Sequence, residues 1–176
     1  MSSLYRSILN AQGSAFASTN SFEFDGSTDY VQVSNSPSLN ITSAFSVSMW
    51  FKTTSSNVMY PITHGSASEI KFLVQLYAPI DRIRLQIYDG SNVRTIVDNT
   101  QVFDDGQWHN LTFTTDALTT TDGVKIYFDG NPLTNKGTLS NSGLRSTTLN
   151  FFIGQIPSTS RFEGNIDEVA VFNSGL

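Results

Sequence analysis

Apolar and polar residues alternate in short runs along nearly the whole chain from Asn20 onward. The period of two is plain in Phe45-Ser-Val-Ser-Met-Trp-Phe51, Ile70-Lys-Phe-Leu-Val-Gln-Leu76 and Arg82-Ile-Arg-Leu-Gln-Ile-Tyr88. It returns over 108–113, 124–128, 149–153 and 166–172. Successive side chains of a strand point to opposite faces, so each run reads as a strand with one face buried. Asp-Gly pairs at 25–26, 89–90, 105–106, 122–123 and 129–130 punctuate the runs. That dipeptide suits tight hairpins and left-handed backbone. Many short strands with this spacing predict an all-β sandwich or barrel of antiparallel sheets, with no helix longer than a turn after the first residues.

The opening phrase Phe24-Asp-Gly-Ser-Thr-Asp-Tyr-Val-Gln-Val33 and the closing phrase Gly164-Asn-Ile-Asp-Glu-Val-Ala-Val-Phe-Asn173 each read as a strand with acidic residues at its edge. A sandwich closed by pairing its two ends, clipped by a cation, is the expectation. Residues 1–19 differ from the rest. Leu4, Tyr5, Ile8 and Leu9 make a short helical face that Gly13 ends. A segment so short needs something to lie on, so it reads as a docking arm ahead of one domain over 20–176. It lacks the continuous apolar stretch of a signal peptide. There is no repeat of fixed period, which removes solenoids and propellers.

Composition narrows the partners. Charged residues are only 14% of the 176, against a usual ~25%, so Ser, Thr, Asn and Gln must build the surface, which suits neutral glycans or protein walls. The net charge of −5 and scattered basic residues exclude a nucleic-acid partner, which needs a basic stripe. No run approaches the ~18–20 apolar residues of a membrane span. There is no cysteine, hence no disulfide framework or thiolate metal site.

Several phrases in order resemble the laminin G-like, concanavalin A-like lectin-glucanase superfamily, especially its bacterial and viral branch. They are Phe24-Asp-Gly-x-x-Asp-Tyr-Val31, Phe45-Ser-Val-Ser-Met-Trp-Phe-Lys52, Gln107-Trp-His109, Ile126-Tyr-Phe-Asp-Gly130, Phe152-Ile-Gly154 and Phe162-Glu-Gly-Asn-Ile-Asp-Glu-Val169. The resemblance implies a two-sheet antiparallel jelly-roll sandwich. It also implies a structural calcium ion joining the first and last strands, with Asp25 and Asp167 as the best matches and Asp29 as a third ligand, since calcium takes oxygen ligands.

Glycanases on this fold carry a Glu-x-Asp-x-x-Glu strand whose carboxylates act as a pair. Nothing here matches; in Glu163-Gly-Asn-Ile-Asp-Glu168 the adjacent Asp167 and Glu168 point to opposite faces of a strand. His109 reads as a strand anchor and His64 as a strand-end residue, and no nucleophile elbow or phosphate loop is present. A glycan would use aromatic faces ringed by polar groups, and Tyr30, Trp50, Tyr60, Tyr77 and Tyr88 are the candidates. Trp50 is out of phase with Val47, Met49 and Phe51, so it belongs on the other face with Ser46 and Ser48, the candidate concave ligand surface.

Three functions compete on these residues. One is a non-catalytic structural or surface component of a larger assembly. That would be a phage virion protein (capsid decoration, tail or fibre), assembled in the host cytoplasm and docked by its arm on copies of itself or a shell protein. The alternative is a calcium-assisted carbohydrate-binding lectin or adhesion domain, extracellular or on a cell surface. A glycan hydrolase is disfavoured by the missing acid pair.

Overall fold

A computed structural model describes residues 20–90, 93–98, 100–115, 123–133, 144–157 and 159–175. The arm residues Leu4, Tyr5, Ile8 and Leu9 lie outside these. Two six-stranded sheets face each other. The first runs β1 (Phe22–Asp25), β14 (Glu163–Phe172), β3 (Phe45–Lys52), β8 (His109–Thr115), β9 (Val124–Phe128), β10 (Asn131–Pro132). The second runs β2 (Val31–Val33), β11 (Phe151–Ile153), β4 (Val58–Gly65), β5 (Ile70–Tyr77), β6 (Arg82–Tyr88), β7 (Val93–Asp98). A small hairpin, β12 (Gln155–Ile156) with β13 (Ser160–Arg161), stands against β4.

The alternation read from the sequence decides what fills the space between the sheets. Phe45, Val47, Met49 and Phe51 of β3 meet Phe72, Val74 and Leu76 of β5, Ile83, Leu85 and Ile87 of β6, and Leu111 and Phe113 of β8, all buried in one cluster. Aromatic edges interlock there: Phe45 lies 5.6 Å from Phe113 and 5.1 Å from Phe72, and Phe51 lies 6.4 Å from Phe162. Removing one such buried ring typically costs about 3–5 kcal/mol, so this cluster is the main source of stability.

The two ends of the chain pair as the alternation suggested: β1 runs antiparallel to β14, with Phe22 opposite Ile166 and Asp25 opposite Glu163. The opening phrase, however, is not one strand. Gly26 adopts φ +72°, and the chain leaves the first sheet after Asp25 to enter the second at Val31. The Asp25 carboxylate drives that departure. It accepts from the backbone N–H groups of Ser27, Thr28 and Asp29 at 2.8, 2.7 and 3.1 Å, and from the hydroxyls of Ser27 and Thr28.

Two bulges shape the second sheet. Met59 pairs with Leu76 and Ile62 with Val74, so Tyr60 and Pro61 together oppose Gln75. Proline has no N–H to give the ladder, which confines it to such irregular positions. On β5, Ile70 pairs with Gly65 and Phe72 with His64, leaving Lys71 as the extra residue. Lys71 is fully buried, with Nζ donating to the Leu39 carbonyl at 3.4 Å.

Candidate ligand-binding face

Three of the five aromatic candidates converge on one surface. The outward positions of β5 and β6 form cross-strand rows: Tyr77 opposite Arg82, Gln75 opposite Arg84, and Leu73 opposite Gln86, with Tyr88 at the end of β6. From β4 the bulge at Pro61 turns Tyr60 onto the same face. There the Gln75 Nε2 donates to the Tyr60 hydroxyl at 2.5 Å. The rings of Tyr60 and Tyr88 lean on an outer apolar patch of Ile70, Leu73 and Ile156, the last supplied by the β12–β13 hairpin. Tyr88 donates to Gln86 Oε1 at 3.4 Å, and Gln86 Nε2 donates to Thr95 at 3.3 Å. At the far end the Arg82 guanidinium lies 5.9 Å from the Tyr77 ring centre.

The electrostatics confirm that these polar tips crowd together. Burial pushes the Tyr88 hydroxyl up, the neighbouring Tyr60 adds to the shift, and the Arg84 charge opposes it. The half-buried Tyr60 and Tyr88 rings, with Gln86 and Arg84 beside them, can stack on the apolar face of a sugar ring and bond its rim hydroxyls, while Leu73 and Gln75 lie buried beneath and hold the rings in place.

The other two aromatic candidates sit elsewhere. Tyr30 is 47% exposed between β1 and β2, with Phe152 at 6.2 Å and the Arg161 guanidinium at 5.2 Å from its ring centre. Arg161 helps line a cleft of about 580 Å³ on the other flank of the hairpin, with Ser55, Asn57, Ser160 and Glu163. In it Ser55 donates to Glu163 Oε2 at 2.7 Å and accepts from Asn57 at 3.2 Å. Trp50 does share a face with Ser46 and Ser48, opposite Asn110 and Asp167. The expected ligand surface is closed at its centre, though. Ser46 and Ser48 are buried and tied to Thr114 at 2.8 Å and Thr112 at 3.0 Å, and Thr112 donates onward to Asn110 Oδ1. Small hydroxyls satisfy one another in a seam there, and the residues are consumed by the sheet.

The carboxylates named for calcium do not gather. The register puts Asp25 opposite Glu163, so Asp167 lies four strand positions on, about 13 Å at ~3.3 Å per residue. Asp25 is also occupied: its backbone bonds to Thr28, Ser27 and Asp29 hold the carboxyl far below the usual carboxylate range. Asp29 turns back to accept from the Asp25 N–H at 3.2 Å, and Asp167 accepts from the Glu168 N–H at 2.7 Å. Among the described residues no three acidic or histidine side chains are placed to hold a metal ion. This donor set does not fit the ion that the resemblance implies.

The histidines anchor strands. His109 Nδ1 lies 2.8 Å from Asp129 Oδ2 and Nε2 3.1 Å from Asp105 Oδ1, with its ring stacked on Phe128 at 4.8 Å. Burial pulls the imidazole down, but the two carboxylates outweigh it and leave the pKa raised.

A family model described as Laminin_G_3, concanavalin A-like lectin/glucanases superfamily, matches residues 25–176. No curated protein matches the chain. Among solved structures, domains LG4-5 of the mouse laminin alpha1 chain align with a TM-score of 0.64 at 15% identity, covering 88% of this chain and 43% of that one. The Ruminococcus gnavus IT-sialidase CBM40 bound to alpha2,6 sialyllactose aligns at 0.64 and 14% identity, covering 89% of this chain and 91% of that one. The ligand binding domain of botulinum neurotoxin serotype D, in complex with N-acetylneuraminic acid, aligns at 0.67 and 17% identity, covering 90% and 40%. The chain thus spans less than half of the laminin and neurotoxin chains, and at these identities the likeness is one of fold.

Proposed function

Because this chain belongs to the concanavalin A-like lectin/glucanases superfamily, we propose that it is a non-catalytic carbohydrate-binding module whose ligand lies on the outer face of β4, β5 and β6. The observation that carries this is the convergence of Tyr60, Gln75, Gln86 and Tyr88 around Leu73. Two sugar-binding neighbours of the same fold, one holding sialyllactose and one N-acetylneuraminic acid, support a glycan as the ligand. The sequences of β4, β5 and β6 contain no Asp or Glu, so this face has no acid–base pair for glycoside hydrolysis. The other facing carboxylates, Asp25 and Glu163, are held apart in role: Asp25 is saturated by its turn and stays ionised.

On a glycan array Tyr88→Ala is expected to lower binding about tenfold, the scale of losing one ring contact with its hydrogen bond. Tyr88→Phe keeps the packing on Ile70, Leu73 and Ile156 and is expected to retain most of the affinity. A wild-type protein that binds no glycan, or binding indifferent to Tyr88→Ala and Tyr60→Ala, sinks the proposal.

We further infer that the module rides on a larger particle, a phage virion assembled in the host cytoplasm, with residues 1–19 as its tether. The low charge supports this, as do Phe22 at 62% and Val33 at 39% exposure on the two sheet-edge strands β1 and β2. Such apolar positions on open edges are sites for another chain. Protein released from its natural source is then expected to sediment with a very large particle, and deletion of residues 1–19 to free it. A lone 19.3 kDa species from the intact source leaves only the free lectin or adhesion reading.

A further inference from the structure

Arg82 and Arg84 stand two residues apart on β6, so both project from the outer face. The chain has only ten Lys and Arg against fifteen Asp and Glu, yet neither arginine has an ion pair among the described residues. The rows around them hold no acid: Arg82 faces Tyr77, and Arg84 faces Gln75 on one side and Val97 on the other. Each guanidinium has its Nε buried without a hydrogen-bond partner. A buried donor left unmade costs about 1–3 kcal/mol, and two such donors on one strand face call for an explanation. They are flanked by Tyr77 at one end and by Gln86 and Tyr88 at the other, the groups that the glycan reading already uses.

We propose that Arg82 and Arg84 read an anionic group on the glycan, so that this face takes acidic sugars, carboxylated or sulfated, in preference to neutral ones. The inference rests on the glycan-binding reading of the same face and adds the class of sugar. Guanidinium groups match planar and tetrahedral oxyanions through paired N–H donors, which makes arginine the fitting residue. A carboxylate or sulfate would meet the outer end of the half-buried Arg84 guanidinium, whose Nε carries no competing bond, while the sugar ring rests on Tyr88. The chain's net charge of −5 works against an anion at long range, so the selectivity must arise at contact, where the local pair outweighs screened distant charges. Within β4, β5 and β6 there is no Asp or Glu to compete for the guanidinium groups.

The test is calorimetric titration of the full chain with three probes sharing one core: lactose, 6′-sialyllactose and 6′-sulfolactose. The wild type is expected to bind one or both acidic probes at least roughly tenfold more tightly than lactose, the worth of a charge-assisted bond. The pair sialyl against sulfo tells carboxylate from sulfate. Arg84→Gln is expected to erase the preference by weakening the acidic probe at least roughly tenfold more than it weakens lactose, while Arg84→Lys, a point charge without the fork, recovers part of it. The Arg84 Nε–H resonance should shift on adding the acidic probe and stay put with lactose. Equal affinity for all three probes, or a preference that survives both Arg84→Gln and Arg82→Gln, overturns the acidic-sugar inference while the glycan face stands. No heat with any probe, together with a blank glycan array, overturns both.

Discussion

Gly164→Ala is expected to destabilise the protein by about 4 kcal/mol, lowering Tm by roughly 8–16 °C for a domain of this size. Gly164 lies in β14 where that strand is sandwiched between β1 and β3, opposite Phe24. Its φ is +130°, in the region that side chains avoid, which alone costs about 1–3 kcal/mol. A Cβ there would stand 2.2 Å from the Lys52 carbonyl oxygen and 3.2 Å from Thr53 Cα. Both are backbone, and this stretch is further pinned by the Thr53 hydroxyl, which donates to the Glu163 carbonyl at 2.7 Å. Relief therefore means separating β14 from β3, next to the buried Phe51 and Phe162. Gly90→Ala is the control: its φ is +108° but nothing lies within 4 Å, so it should cost only about 1 kcal/mol through backbone strain. Urea unfolding of both variants decides the matter; equal losses would show that the close approach at Lys52 carries no energy.

The same position shows how far the chain's text could be read. The phrase Phe162-Glu-Gly-Asn-Ile-Asp-Glu-Val169 was legible as a strand, but nothing local marked its glycine, because the neighbour that forbids a side chain belongs to the end of β3, some 110 residues away. Period-two alternation located β3, β5, β6, β8, β9 and β14 closely because apolar and polar residues alternate along them; in β6 and β9 burial follows that alternation, whereas β5 and β8 are buried on both faces. It passed over β4 and β7. In β4, Pro61 and the bulge interrupt the alternation, and in β7 Val97 and Ile96 blur the two faces. The opening phrase looked like one strand because the turn at Gly26 leaves the alternation on both sides intact. For the binding face, Arg82, Arg84, Gln86 and Tyr88 were legible as one side of a strand, since side chains two apart share a face. What joins them to Tyr60 and Gln75 is cross-strand register, set by a bulge that no local pattern announces. The calcium reading had the same blind spot: two acidic edges were legible, but not the four-position offset that separates Asp25 from Asp167.

Stability is expected to fall by about 3 kcal/mol as the pH is lowered from 6.5 to 4, through His64. This imidazole is buried between Phe72 and Phe151, with Nε2–H donating to the Leu149 carbonyl at 3.2 Å. Burial, and then the charge on Lys71, lower its pKa from 6.5 to about 4. Between those values the unfolded chain takes up a proton that the folded chain refuses, so stability drops with falling pH, by about 1.4 kcal/mol per unit of difference. His109 has the opposite sign. Its raised pKa stabilises the fold fully below 6.5, and that contribution is lost as the pH climbs through the raised value. The carboxylates do not intrude on the acid window: Asp25 and Asp105 are both lowered, so their contributions fade only as the pH falls below about 4. Lys71 couples to His64. Burial alone lowers its pKa to about 8, leaving it charged at pH 7 inside the fold, with stability gained only as the pH rises from about 8 to 10.5. Lys71→Met should therefore stabilise at pH 7 by about 1–2 kcal/mol, because a buried charge with one carbonyl partner is replaced by packing. It should also shrink the loss between pH 6.5 and 4 by lifting the His64 pKa. His64→Gln keeps a donor for Leu149 and should flatten that limb entirely. Urea titrations at pH 4, 5 and 6.5 on the three proteins read all of this, and an acid limb that survives His64→Gln would assign the loss to a different group.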